Sequence, residues 1–228
     1  MLIGTDAICH RATIAILVGG NSSRFGQDKG LFQVDSLEPI IVLQIKKMSP
    51  WFKETLIVCG SVAQKNAYSQ TLAKFFTAEQ MPNIILDHRN QEKASLVGVE
   101  AALKSAAHDW VLVMAVDQVA LIYDHIRTLM QNLAIISATG QKIPLVYHDS
   151  HFDRPLSFPS LWPKSASGDV LTAISNNNFS VHETLTSLGA ICFEAGRNIR
   201  SLKLNANTEE DALRYYDSGA STVPPPHC

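Results

Sequence analysis

The sequence predicts an α/β fold, a three-layer α/β/α sandwich around a mostly parallel sheet, on three observations. Short apolar runs of strand length alternate with segments of helical length. The first run, residues 14–18, stops abruptly at Gly19-Gly20 and opens into a loop of turn-forming side chains. The glycine loop, Asp87 and Asp117 each follow a strand directly, which gathers them on the carboxyl rim where parallel sheets bind ligands.

In order, residues 14–18 read as a buried strand and residues 31–34 as a short one. Residues 38–48 read as a helix with Pro39 in its first turn, where the missing N–H costs nothing. Strands at 55–59, 83–86 and 110–116 alternate with helices at 63–76 and 96–107. Tyr68, Leu72 and Phe75 or Phe76 fall at helical spacing and read as core packing. The second half is predicted as a helix over 123–133, strands at 135–137 and 143–147 around Thr139-Gly140-Gln141, and a polar loop over 148–154. Two short helical patterns follow within 170–188, then strands at 190–193 and 202–204 and a helix over 208–216 capped by Thr208.

The 228 residues suffice for one domain, drawn at 13–217, with an extension over 1–12 and a flexible, proline-bearing tail over 218–228. The chain is 46% hydrophobic and 18% charged, the composition of a globular protein. A net charge of -2 gives no global attraction to nucleic acid, so a positive field must be local, as at Arg24 and Lys29. Cys9, Cys59, Cys192 and Cys228 are scattered with no C-x-x-C pair, which fits thiols in a reducing cytoplasm. Residues 1–12 are too broken by Asp6, His10 and Arg11 for a secretory segment, and no apolar run reaches the ~18 residues of a membrane span. The expectation is a cytoplasmic protein without membrane or nucleic-acid partners.

The chemistry starts in the loop ATIAILVGGNSSRFGQDK, residues 12–29. Glycine amides with Arg24 and Lys29 suit an anion, most simply a polyphosphate. It is no P-loop, because Gly30 rather than Ser or Thr follows Lys29, and it lacks the G-x-G-x-x-G of a dinucleotide turn. Asp117, at the end of an apolar strand, either offers a hard oxygen to Mg2+ or caps the next turn. His148, Asp149, His151 and Asp153 lack the spacing of zinc motifs and read as a loop.

The spelling LVGGNSSRFGQDKG resembles the L-A-G-G-x-S-x-R-M-G-x-D-K signature of the molybdenum cofactor guanylyltransferase family. Val116-Asp117-Gln118-Val119 is similar to its D-x-P segment without the proline, and residues 94–98, Ala-Ser-Leu-Val-Gly, partly match its G-P-L-A-G. Residues 205–210, Asn-Ala-Asn-Thr-Glu-Glu, resemble N-x-N-T-P-E-E, again without proline. In order and spacing the resemblance runs from Ile14 to Tyr216.

The resemblance implies a Rossmann-like fold of the nucleotide-diphospho-sugar transferase kind and a transfer of GMP from GTP to the phosphate of molybdopterin. It implies that Leu17, Val18, Gly19 and Gly20 lie against the nucleoside, that Arg24 and Lys29 meet the phosphates, and that Asp117 holds Mg2+. Asp87 stands at the position that helps bind the guanine nucleotide, beside the plainer reading of a turn aspartate, and Cys59 stands where the family has an asparagine contacting GTP. Asn205 and Asn207 resemble the asparagines near the pterin, or serve as turn residues before Thr208, and Arg154 lies in the loop approaching the second substrate. Cofactor-delivery proteins are the implied partners. The alternatives are a sibling enzyme using CTP or a sugar phosphate, and a nucleotide-binding paralogue weakened in catalysis by the missing prolines.

Overall fold

The computed structural model describes residues 12–19, 27–34, 38–87, 94–121, 123–149, 151, 153–194 and 205–217. The first strand, β1 (Ala12–Leu17), is buried at every position. Its alternate side chains enter different cores, Ile14 and Ile16 one and Ala15 and Leu17 the other, so an unbroken apolar run is what the site demands. After a 3-10 turn over Lys29–Leu31 come two short strands, β2 (Gln33–Val34) and β3 (Glu38–Pro39), paired antiparallel. Then follow α1 (Ile40–Met48), β4 (Glu54–Cys59), α2 (Val62–Leu72), β5 (Asn83–Leu86), α3 (Ser95–Ser105), β6 (Trp110–Ala115) and α4 (Tyr123–Ser137). The chain continues through β7 (Leu145–Asp149), β8 (Arg154–Pro163), α5 (Ser167–Ser175), α6 (Val181–Ser187), β9 (Ile191–Glu194) and α7 (Glu209–Asp217).

Among the described residues, seven strands form the main sheet in the order β5-β4-β1-β6-β8-β7-β9. The pairs β5–β4, β4–β1, β1–β6 and β7–β9 are parallel, and β8 runs antiparallel to both β6 and β7. One face is covered by side chains of α1, α2, α4 and α7, the other by those of α3, α5 and α6, which makes the three expected layers.

Several elements correct the sequence reading. Residues 135–137 continue α4 rather than form a strand: Ile136 is nearly buried and extends the stripe of Ile126, Leu129, Met130 and Leu133. Leu31 ends the 3-10 turn, and Pro39 closes β3 as the extended residue before α1 instead of sitting inside the helix. The second helix stops at Leu72, short of Phe75 and Phe76, whose rings still pack on the core. The longest strand, β8, was not expected, because Pro155, Pro159 and Pro163 break its pattern. The register shifts between Val146 and His148, opposite residues 156–159, which takes Pro159 out of the ladder, while Pro155 and Pro163 stand at the two ends of the strand, where a lost donor costs least. The strand expected at 202–204 and the tail over 218–228 lie outside the described residues.

Candidate functional site

At the carboxyl end of β1 the backbone is held on both sides. Val18 N–H donates to Val58 C=O at 3.1 Å, and Val116 N–H donates to Leu17 C=O at 3.0 Å. Gly19 then meets Gly60 at the end of β4 so closely that a Cβ on Gly19 would lie 3.3 Å from Gly60 N. Asp87 is drawn to the same place by its N–H, which donates to Cys59 C=O at 2.9 Å. A cavity of about 410 Å³ opens here, lined by Gly19, Asp28, Gly60, Ser61, Gln64 and Asp87. The two glycine backbones touch each other and, lacking side chains, leave an open floor to this cavity with the Asp87 carboxylate at its edge, a slot against whose floor a planar base can lie.

The far end of the glycine loop is anchored by Asp28. Its Oδ1 accepts from Gly30 N–H at 3.1 Å and from the Tyr68 hydroxyl at 2.5 Å, while Oδ2 accepts from Gln64 Nε2 at 2.6 Å. Gln64 also donates to Val18 C=O at 2.9 Å and accepts from Gly60 N–H at 2.8 Å, tying the ends of β1, β4 and the loop together. Tyr68 is fully buried, and burial, with the adjacent Asp28 carboxylate adding, holds its hydroxyl well above the usual tyrosine range. Sequence reasoning assigned Tyr68 to the core and missed the network. The available signal was the i, i+4 placement of Gln64 and Tyr68, which puts both on one helix face.

Lys29 follows Asp28 and reaches across the rim, with Nζ 3.1 Å from Asp117 Oδ2, both side chains about four-fifths buried. The other carboxylate oxygen, Asp117 Oδ1, is buried and has no hydrogen-bond partner among the described residues. A buried acceptor oxygen without a donor fits a hard cation such as Mg2+, which takes carboxylate oxygens alongside phosphates and water. Asp117 itself sits on a tight turn, where Val119 N–H donates to Asp117 C=O at 2.8 Å and Gln118 Oε1 accepts from Ala115 N–H at 3.1 Å. Ala206 N–H also donates to Asp117 C=O at 2.9 Å, bringing the segment before α7 to the rim.

That segment lines a second cleft of about 240 Å³ with Ala115, Gln118, Arg154, Ser157 and Asn205. Asn205 Oδ1 is buried without a hydrogen-bond partner among the described residues. The two asparagines separate in role: Asn207 is exposed, and its N–H joins the cap of α7, where Asp211 Oδ2 accepts from Asn207 N–H at 3.1 Å and Thr208 N–H at 2.9 Å. Asp211 N–H in turn donates to Thr208 Oγ1 at 3.1 Å, the cap the sequence predicted.

A model of the MobA-like NTP transferase domain matches residues 14–185, well over half the chain. The chain belongs to that family. Curated MobA-like relatives include the molybdenum cofactor guanylyltransferase of Pseudomonas fluorescens (strain Pf0-1), 28% identical over 143 residues, which make up 62% of this chain and 64% of the relative, just under two thirds of its length. The probable molybdenum cofactor guanylyltransferase of Aquifex aeolicus (strain VF5) is 24% identical over 204 residues, 89% of each chain. Molybdopterin-guanine dinucleotide biosynthesis protein A from Archaeoglobus fulgidus shares the fold at a TM-score of 0.68 and 19% identity, covering 92% of this chain and 100% of that one. The fold is that of the nucleotide-diphospho-sugar transferases, and MobA-like members are nucleotidyltransferases.

Of the residues expected on the MobA-like rim, Gly19, Lys29, Asp87, Asp117 and Asn205 come together around the two clefts. Leu17 and Val18 are there in backbone only, since their side chains fill the two cores and Leu17 packs on Gly98. Gly20 and Arg24 lie outside the described residues. Cys59 does not face the slot: its side chain is fully buried in the core, and burial, reinforced by Asp28 and Asp87 against Lys65, pushes the thiol up to about 12. No helix among the described residues is long and apolar enough to cross a membrane.

Proposed function

We propose that this chain transfers GMP from GTP to the terminal phosphate of molybdopterin, assisted by Mg2+, releasing pyrophosphate and forming the guanine dinucleotide cofactor. The observation that carries the reading is the Lys29–Asp117 pair with its buried, unengaged Oδ1. The pair joins the two clefts: Lys29 follows Asp28 of the slot, and Asp117 is flanked by Ala115 and Gln118 of the other. The names of the curated relatives support guanine and molybdenum cofactor as the two halves of the product.

In this reading the base lies on the floor formed by the touching Gly19 and Gly60 backbones with Asp87 accepting from its N–H groups, and Lys29, joined by Arg24, meets the phosphates. Asp117 would hold Mg2+ through Oδ1. When bound, the ion supplies neutralisation of the phosphate charge and alignment of the leaving group. The acceptor's phosphate lies toward Arg154 and Asn205, the latter free to hold the pterin side or to complete the metal environment. A phosphate oxygen of the acceptor forms its bond to the α-phosphorus as the bond to pyrophosphate breaks, with no covalent enzyme intermediate. Positioning and fixed positive charge carry the rate.

Pyrophosphate release, measured with molybdopterin and each of GTP, CTP and ATP at fixed Mg2+, tests the reading. GTP should be preferred by well over tenfold, as expected where a carboxylate reads base N–H groups. Preference for CTP, or no turnover where another family enzyme works, would overturn it.

A further inference from the structure

Behind Asp117 four consecutive backbone carbonyls are each taken by a donor. Gln44 Nε2 donates to Val116 C=O at 3.4 Å and to Gln118 C=O at 3.1 Å, Ala206 N–H donates to Asp117 C=O at 2.9 Å, and Lys47 Nζ donates to Val119 C=O at 3.3 Å. Gln44 and Lys47 lie three residues apart on α1 and so face the turn together. Lys47 also stands over the Tyr215 ring, 5.9 Å from its centroid, which links the turn to α7.

Gln44 is the revealing member. It is 1% exposed in a helix whose neighbouring buried residues are Ile40, Ile41, Val42, Ile45 and Met48, so an apolar side chain would satisfy packing there. Instead the helix buries an amide whose Oε1 has no hydrogen-bond partner among the described residues. An unsatisfied buried carbonyl lowers stability, so packing gives no reason for the amide. The two N–H donors do give one: they span the carbonyls on either side of Asp117 and set the direction from which its carboxylate leaves the turn.

We infer that Gln44 is a positioning residue for Asp117, aiming Oδ1 at the metal position through the turn, with Lys47 supporting it from the next helical turn. The inference rests on the proposed role of Asp117 as the metal ligand. Outer residues that orient a ligand typically change metal affinity ten- to a hundredfold, and here the effect should be confined to metal, because the slot is built from Asp28, α2 and the ends of β1, β4 and β5, with no residue of α1.

Mn2+ binding followed by electron paramagnetic resonance, with a non-cleavable GTP analogue present, tests this in the wild type and in Gln44→Leu, Lys47→Met and Asp117→Ala. Gln44→Leu should weaken Mn2+ about tenfold while leaving metal-free affinity for the analogue within about twofold. If Gln44→Leu does not fold, Lys47→Met carries the comparison with an expected loss of about tenfold, the lower end of that range. Mn2+ affinity equal to wild type, or parallel loss of metal and metal-free nucleotide binding, would overturn the positioning role. A wild-type Mn2+ site that survives Asp117→Ala would instead remove the metal assignment itself, and the inference with it.

Discussion

Lys29 Nζ and Asp117 Oδ2 meet at 3.1 Å although 88 residues separate them, and the contact closes the rim of the sheet between β1 and β6. The two strands are parallel neighbours, so the loop after one and the turn after the other must emerge side by side. Lys29→Ala should lower pyrophosphate release by about a hundredfold, the scale of losing one preorganised charge from a transition state. It should also tighten Mn2+ binding in the absence of nucleotide, because the competing ammonium is gone from Asp117. Weaker Mn2+ binding in that variant would contradict the pairing.

Gly30 stands where a P-loop has a hydroxyl residue, and packing explains the glycine. A Cβ there would lie 2.1 Å from the Tyr68 hydroxyl oxygen, which is fixed by its bond to Asp28. Gly30→Ala should therefore destabilise by about 2 kcal/mol through overpacking and lower the melting temperature by roughly 5 °C. Tyr68→Phe added to it should recover part of the loss, since it removes the nearest atom. Thermal scans of the single and double variants decide this, and a double variant less stable than Gly30→Ala would count against it.

Asp28 supplies one carboxylate to three donors, two of them side chains of α2. Asp28→Ala leaves the buried Tyr68 hydroxyl and one Gln64 N–H unsatisfied, at a cost of about 1–3 kcal/mol for the network. Affinity for GTP should fall, since Gln64 holds both Val18 and Gly60 at the slot. Calorimetric titration of GTP into folded Asp28→Ala tests the coupling, and wild-type affinity would show that the slot is rigid without the loop anchor.

Burial lowers the Lys47 ammonium from its usual 10.5 to about 8. Between these values the unfolded chain binds a proton that the folded chain lacks, so folding stability rises with pH across that window. The sign is that of a buried base: its desolvation cost is full below pH 8 and fades as pH climbs toward the unfolded value. Relative to Lys47→Met, which cannot titrate, the wild type should gain about 2 kcal/mol between pH 7.5 and 9.5 in denaturant unfolding. A gap independent of pH would show that the ammonium is solvated.

Much of this was legible along the chain. The apolar run of β1, its abrupt stop at Gly19, the strand-end positions of Asp87 and Asp117 and the Thr208 cap are local patterns, and local patterns survive into the fold. What misled was local as well. Three prolines hid β8, because whether a strand can lose ladder donors depends on which neighbours it pairs with and where the register slips. Residues 135–137 looked like a strand because their apolar run is too short to separate from the end of a helix.

The sequence by itself determined the class of fold, the anion loop and the carboxylates at strand ends, since each is written in neighbouring residues. Only the tertiary structure decided what those groups face. Parallel pairing of β1 with β6 put Lys29 on Asp117; the twofold alternation of β4 turned Cys59 into the core and away from the slot; and the docking of α1 aimed Gln44 at the carbonyls around Asp117. Direction of a side chain follows from which surfaces are buried together, and that is a property of the packed chain rather than of any stretch of it.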